Sequence, residues 1–349
     1  MSLPKATTFS NGEINRAGKI FIKDSPGKIE LAYAFDVLDK WRISHAYPMN
    51  TFQATLRKKV KLLPGDTLVA QRLKRLPTIV DKLKKYPEME LSRMQDIGGL
   101  RAITNSVNSV RKLHTIYLKA KFDHELKNSK DYITEPKASG YRGIHLIYKY
   151  RNKQVPAYDG LFIELQFRTK LQHTWATSVE TMGTFLGKAL KSSQGNKEWL
   201  NFFALTSSAF AYVEKTPRVP GFEQLSKTET IGAVMAAEKK LGVINKMTAF
   251  TIAANMIHEN SNKKGWYYHL IILDSINKKV QIKSFSRDQL KAATVAYSNA
   301  EKRSRSGEKT EQVLVSAGPL QSLRTAYPNY FLDTRDFILE LKKISSQLK

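Results

Sequence analysis

Glu164 stands mid-way along Leu161 to Arg168, a segment whose side chains alternate. Leu161, Ile163, Leu165 and Phe167 fall to one side; Phe162, Glu164, Gln166 and Arg168 fall to the other. Period-two alternation marks a strand, and it sets a carboxylate, an amide and a guanidinium in a row on one sheet face. A carboxylate inside so apolar a segment needs a cation or a chemical task, because burying it unpaired is costly. A second carboxylate, Asp96, lies in Gln95-Asp96-Ile97-Gly98-Gly99-Leu100-Arg101, at the entrance to a strand predicted over 99–104. Asp96 also reads as an ordinary turn or cap residue. If the two converge on one face they could hold Mg²⁺, and one could accept a proton from a reacting hydroxyl.

Between these segments runs Pro136-Lys137-Ala138-Ser139-Gly140-Tyr141-Arg142-Gly143-Ile144-His145. Small residues around a tyrosine, with cations on both sides, let a phosphate approach while the ring offers a stacking face; the same string also makes a plain hairpin turn.

The elements that must position these groups follow from periodicity. Helices are predicted over 36–44, over 69–86 (carrying Arg72, Lys74 and Lys82), over 109–120 and from Lys170 onward, where His173 occupies a face opposite an apolar stripe. The strand over 143–150 folds back antiparallel on 161–168 through the loop 151–160. Strands predicted over 266–273, 279–285 and 313–316, with helices over 288–300 and 334–348, give a second unit. The expected fold is α+β: a mixed β-sheet flanked by helices, resembling a nucleotidyltransferase, with a smaller α/β C-terminal domain. Two prolines and a glycine in 216–221 mark a boundary, giving 1–216, a linker at 217–221, and 222–349.

The chain has 349 residues and no cysteine, which removes disulfides, thiolate nucleophiles and every cysteine-based zinc site. Its seven histidines never fall three to five apart, so a local His pair for zinc is not expected either. Oxygen ligands and Mg²⁺ are the natural metal chemistry. With no apolar run of membrane length and no apolar leader in Met1–Ser10, a cytoplasmic protein is expected. The 57 Lys and Arg against 31 Asp and Glu leave +26, a charge that attracts polyanions.

Taken in order, the motifs over about residues 65–185 resemble the synthetase domain of the RelA/SpoT homologue superfamily. They are Arg72-Leu73-Lys74 with Lys82; Asp96 to Arg101; Lys130-Asp131-Tyr132-Ile133 with Pro136-Lys137 and Gly140-Tyr141; His145; Glu164 to Thr169; and Gln172 to Ala176. The resemblance implies an enzyme that moves the β,γ-pyrophosphate of ATP to a 3′-hydroxyl and releases AMP. It implies that Asp96 and Glu164 hold Mg²⁺, that Glu164 orients or deprotonates the hydroxyl, and that Arg72, Lys74 and Lys82 hold the ATP phosphates. Tyr141 would stack on the acceptor base with Lys137 and His145 nearby, and Arg101, Gln166, Arg168 and His173 would support the site. The sequence has no His-Asp dipeptide of the kind long members carry in a hydrolase domain, so product degradation is not expected.

The acceptor is read here as the 3′ end of tRNA, for two reasons. Thr181 stands where many small alarmone synthetases have histidine, and Arg57, Lys58, Lys59, Lys84 and Lys85 offer a basic surface for an acceptor stem. The alternatives are an alarmone synthetase acting on GDP or GTP, and a non-catalytic RNA-binding module. The C-terminal unit resembles the domains of fused toxin–antitoxin members, including zinc-finger-like folds without their cysteines. That resemblance implies restraint of the synthetase in cis, with Tyr327 and Tyr330 as candidate plugs of the adenine site, and a phage structural protein as trigger.

Overall fold

The computed structural model describes residues 9–185, 197–245, 247, 266–274, 279–306, 310–316 and 334–348. Three helices open the chain: α1 (Asn11–Ile22), α2 (Lys28–Ser44) and α3 (Ala46–Val60). α1 begins at a capping box, where the Ser10 hydroxyl accepts from the Glu13 N–H while the Glu13 carboxylate accepts from the Ser10 N–H. The next elements build the sheet: β1 (Leu68–Leu73), α4 (Leu76–Lys85), β2 (Gly98–Thr104), α5 (Val107–Leu118), β3 (Glu125–Asp131), β4 (Ile144–Lys149) and β5 (Phe162–Thr169). Then come α6 (Lys170–Phe185), α7 (Lys197–Glu214), α8 (Lys227–Leu241), β6 (Trp266–Asp274), β7 (Lys279–Ser286), α9 (Leu290–Arg305), β8 (Thr310–Ser316) and α10 (Arg335–Ser345).

Mixed sheet and flanking helices are as expected, with one change that bears on the site. The helix predicted over 69–86 is instead strand β1 followed by α4. Pro77 near the start of α4 is the reason: proline lacks an N–H, clashes with the preceding turn inside a helix, and fits its first turn. Arg72 therefore sits on a strand, Lys74 in the connection, and Lys82 on the helix.

The sheet order is β3-β4-β5-β2-β1-β8-β6-β7. β5 and β2 are parallel, and every other neighbouring pair is antiparallel. The 143–150 and 161–168 segments form the expected hairpin, with Leu146 opposite Leu165. The smaller α/β region joins this sheet at its edge, where β8 lies beside β1 through Gln71 and Arg72. One sheet face is apolar: Leu100, Ala102, Leu146, Ile163, Leu165 and Phe167 pack with α3 and α5 in a single core. A second core joins α6, α7, α8 and α10, and a third joins α1, α2 and α4. No helix among the described residues is long and apolar enough to cross a membrane.

Candidate active site

The opposite sheet face is polar because register puts the polar residues there. His145, Gln166 and Arg101 lie directly across β4, β5 and β2 from one another. One step along, Glu164 lies opposite Gly99, which lies opposite Arg72 of β1. Paired residues in a ladder share a face, so Arg72, Arg101, His145, Glu164 and Gln166 project together, with Arg168 two residues further on. Gly99 leaves a floor between Arg72 and Glu164. A Cβ there would meet nothing nearer than the Arg72 and Glu164 backbone oxygens, at 3.9 and 4.0 Å.

Five side chains close a hydrogen-bonded ring on this face. Arg168 Nη2 donates to the Tyr141 hydroxyl and, with its other hydrogen, to Gln166 Oε1 at 2.9 Å. Gln166 Nε2 donates to Glu164 Oε2 at 2.6 Å, and His145 Nδ1 meets Glu164 Oε1 at 2.8 Å. Tyr141 Oη and His145 Nε2 complete the circuit. An ionised carboxylate only accepts, so the ring assigns the tautomer: His145 donates from Nδ1 and accepts from Tyr141 at Nε2. Burial pushes Glu164 up, but the His145 and Gln166 contacts outweigh it and hold the carboxyl well below the usual glutamate range. Burial also lowers His145, by more than Glu164 restores, and keeps the imidazole neutral. Burial raises the Tyr141 phenol, with Arg168 opposing.

Asp96, just before β2, lies between two ammonium groups, with Lys74 Nζ at 2.7 Å and Lys82 Nζ at 3.0 Å. Burial works against its ionisation, yet Lys74 and Lys82 together hold it below the usual aspartate value. Burial lowers Lys74, by more than Asp96 compensates. The Glu164 charge acts at Asp96 in the opposite direction, as a smaller influence than either lysine.

The other sequence-derived candidates divide. Arg101 and His173 are buried, the latter in the first turn of α6. Tyr141 is only 4% exposed, its hydroxyl held in the ring and its face covered by Arg168 at 4.9 Å from the ring centroid. The exposed Lys137 ammonium lies 4.3 Å from the half-buried Tyr132 ring, which stands edge-on to Tyr141. Tyr132 belongs to the Lys130-Asp131-Tyr132-Ile133 motif, and no local pattern there marks its place against Tyr141. Arg57, Lys58 and Lys59 fill the last turn of α3, and Lys84 and Lys85 that of α4, where cations complement the helix dipole. The Lys59 ammonium lies 5.3 and 4.9 Å from the Tyr117 and Phe122 ring centroids. Tyr327 and Tyr330 lie outside the described residues.

A supporting network went unrecognised. Buried Arg142 donates to Glu214 Oε2 at 2.7 Å and to Ser207 Oγ at 3.1 Å, and Ser207 donates to the Gly140 carbonyl at 2.6 Å. Gly140 has φ +90°, and a Cβ there would come within 2.7 Å of Trp175. These contacts from α7 fix the backbone on both sides of Tyr141. The sequence signal was Glu214 at the end of α7 and the hydroxyls Thr206, Ser207 and Ser208 within its apolar middle.

Two expected results follow from the ring. Tyr141→Phe removes one acceptor and one donor at once, leaving His145 Nε2 and an Arg168 hydrogen unsatisfied. The cost expected in urea unfolding is about 1–3 kcal/mol. The pH dependence has a definite sign. His145 binds its proton less readily folded than unfolded, so its contribution is complete above the ordinary histidine value of 6.5 and declines as pH falls below it. His45, lowered to about 4 by burial, acts in the same direction. Asp96 and Glu164 add a further loss as pH falls below their ordinary values of 3.8 and 4.5. Unfolding midpoints at about pH 7.5 and 5.5 should therefore differ, and His145→Gln should reduce that difference.

Residues 71–183 match the family described as the region found in RelA / SpoT proteins. GTP pyrophosphokinase YjbM of Bacillus subtilis (strain 168) is 35% identical over 111 residues, covering 31% of this chain and 52% of the relative. GTP pyrophosphokinase YwaC of the same organism is 32% identical over 111 residues, covering 30% and 52%. The chain thus spans about half the length of the curated relatives it matches. Among solved structures, small alarmone synthetase 1 from Bacillus subtilis bound to its product pppGpp is similar with a TM-score of 0.46 and 22% identity, over 52% of this chain and 94% of that one.

These findings correct the expected acceptor and partners. The relatives carry the name GTP pyrophosphokinase, and the tRNA acceptor gives way to the guanosine-nucleotide alternative. The basic residues invoked for an acceptor stem end two helices, and one of them packs on aromatic rings. The toxin–antitoxin assignment, its cis restraint and its phage trigger fall with the tRNA reading. So does the zinc-finger-like resemblance: the sequence has no cysteine, and no group of three or more potential metal ligands occurs among the described residues.

Proposed function

We propose that the polar sheet face transfers the β,γ-pyrophosphate of ATP to the 3′-hydroxyl of GDP or GTP, with residues 1–216 carrying the chemistry and 217–221 as the boundary before 222–349. The observation that carries this reading is the open floor at Gly99, with ionised Glu164 on one side and Arg72 on the other. A triphosphate needs cations along its length and a carboxylate at the reacting end, and this face has both within a strand spacing or two. Lys74 and Lys82, now on Asp96, extend the cationic side.

Mg²⁺ fits the donor set. Asp96 and Glu164 are hard carboxylate ligands whose charges influence one another, and Mg²⁺ binds through one or two carboxylates with phosphate and water completing its shell. Bound there, the ion would neutralise phosphate charge.

The chain's own residues do the rest. Arg72, Lys74 and Lys82 hold the triphosphate in line with the acceptor. Glu164 takes the proton of the 3′-hydroxyl, the freed oxygen bonds to the β-phosphorus, the bond to the α,β-bridging oxygen breaks, and AMP leaves. Glu164 is a weak base while His145 and Gln166 both donate to it. The Tyr132 ring and the exposed Lys137 ammonium, beside the hydrogen-bonded ring and backed edge-on by Tyr141, support a purine at the acceptor end.

The test is acceptor dependence. AMP release from ATP should require GDP or GTP and should not be supported by ADP. AMP formed at the same rate with no acceptor present would remove the proposal.

A further inference from the structure

Arg42 of α2 is 1% exposed, and a buried guanidinium must be fully paired to be tolerated. Its partners come from two distant parts of the chain. Nη1 donates to both carboxylate oxygens of Glu301 on α9, at 3.1 and 3.0 Å, and to Asp39 Oδ1 at 3.4 Å. Nη2 donates to the Tyr297 hydroxyl, which in turn donates to Glu301 at 2.5 Å. Glu301 and Tyr297 are themselves 2% and 4% exposed. The remaining donor, Nε, goes to the backbone carbonyl of Lys74 at 3.1 Å.

That last contact gives the cluster a link to the site. The Lys74 peptide joins β1 to α4, and its N–H donates to the Ile97 carbonyl at 2.8 Å, one residue beyond Asp96. Its side chain reaches Asp96 itself. The Lys74 main chain is therefore held from the sheet side by Ile97 and from the helical side by Arg42, and these two bonds fix the backbone from which its side chain reaches Asp96. Tyr297 also shares a cavity with Gln71, Asn50, Thr294 and Tyr268, on the side of β1 from which Gln71 reaches Asn50.

We propose that Arg42, clamped by Glu301 and Tyr297 of α9, is a positioning residue for the ATP-phosphate end of the site. On this inference, which rests on the pyrophosphate-transfer reading, the C-terminal region completes the ATP site through a buried ion pair. Arg42 touches no substrate. It acts through the Lys74 carbonyl, and displacement of a phosphate-binding group by about 1 Å can cost up to about a hundredfold in rate.

The test uses the full chain with two variants, Arg42→Lys and the apolar replacement Arg42→Met/Tyr297→Phe/Glu301→Leu. Exchanging a buried ion cluster for apolar groups of similar size commonly preserves folding, so the second variant separates positioning from stability. ATP binding is measured by calorimetry without acceptor, and initial rates are measured with ATP and GDP varied separately. The expected result is a rise of about tenfold in the ATP Kd and KM, with the GDP KM unchanged, in protein that unfolds cooperatively. A folded triple variant with wild-type ATP affinity would overturn the inference. So would ATP and GDP parameters that worsen together in step with lost folded protein, or a wild-type chain that binds no ATP. Weakened ATP binding in a chain that transfers nothing would keep the inference and remove the reaction.

Discussion

Glu164→Gln should lower kcat for pyrophosphate transfer by about a thousandfold, because it removes both the proton acceptor and one of the two carboxylates proposed for Mg²⁺, while Arg72, Lys74 and Lys82 remain to bind the ATP phosphates. The ring makes a second demand on this variant. Glu164 accepts on both oxygens, from His145 and from Gln166. A glutamine offers only one acceptor, so if His145 keeps it, the new amide faces the Gln166 amide donor to donor. Gln166 cannot simply turn over, since its Oε1 already accepts from Arg168. A stability loss of about 1–2 kcal/mol should therefore accompany the kinetic loss, read from urea unfolding. More than a tenth of wild-type kcat would show that Glu164 is a structural acceptor alone.

Gly99→Leu should abolish transfer with little effect on folding, and its neighbour should behave in the opposite way. The Gly99 floor has room for a Cβ, and a larger side chain there would rise between Arg72 and Glu164. The expected loss in kcat/KM is about a hundredfold or more, since the space for the transferred group is taken, while Gly99→Ala changes little. Gly98 faces the core, where a Cβ would lie 3.0 Å from Ile163 Cδ1 and from Met49 Cγ. Gly98→Ala should cost about 1–3 kcal/mol through overpacking and leave catalysis intact in the folded fraction. Two adjacent glycines on opposite faces thus separate site from core. Equal kinetic losses at both positions would place the reaction elsewhere.

Legibility from sequence followed locality. Leu161 to Arg168 announced its strand and its polar face because period-two alternation is written in consecutive residues, and β5 alternates in burial from Phe162 to Phe167 before Arg168 and Thr169 are buried as well. β1 was misread because Leu68 to Leu73 is short and runs toward a basic helix; Pro77 held the correcting signal. β3 was missed because Glu125 to Asp131 is an exposed edge strand with almost no apolar residues. Pairing of β8 with β1, and Arg42 with Glu301, joins residues more than two hundred positions apart, and no local pattern encodes such contacts. Charge misled most. A large cationic excess pointed to a nucleic acid, while the basic tracts chosen for it terminate helices.

The most direct test follows ATP labelled at both the β- and γ-phosphates in the presence of GDP or GTP, with nucleotides separated and quantified. AMP should form mole for mole with a guanosine product that carries both labels on its 3′-oxygen, and neither should form with Glu164→Gln. ADP with a singly labelled product, or label released only as free phosphate or pyrophosphate, would contradict pyrophosphate transfer.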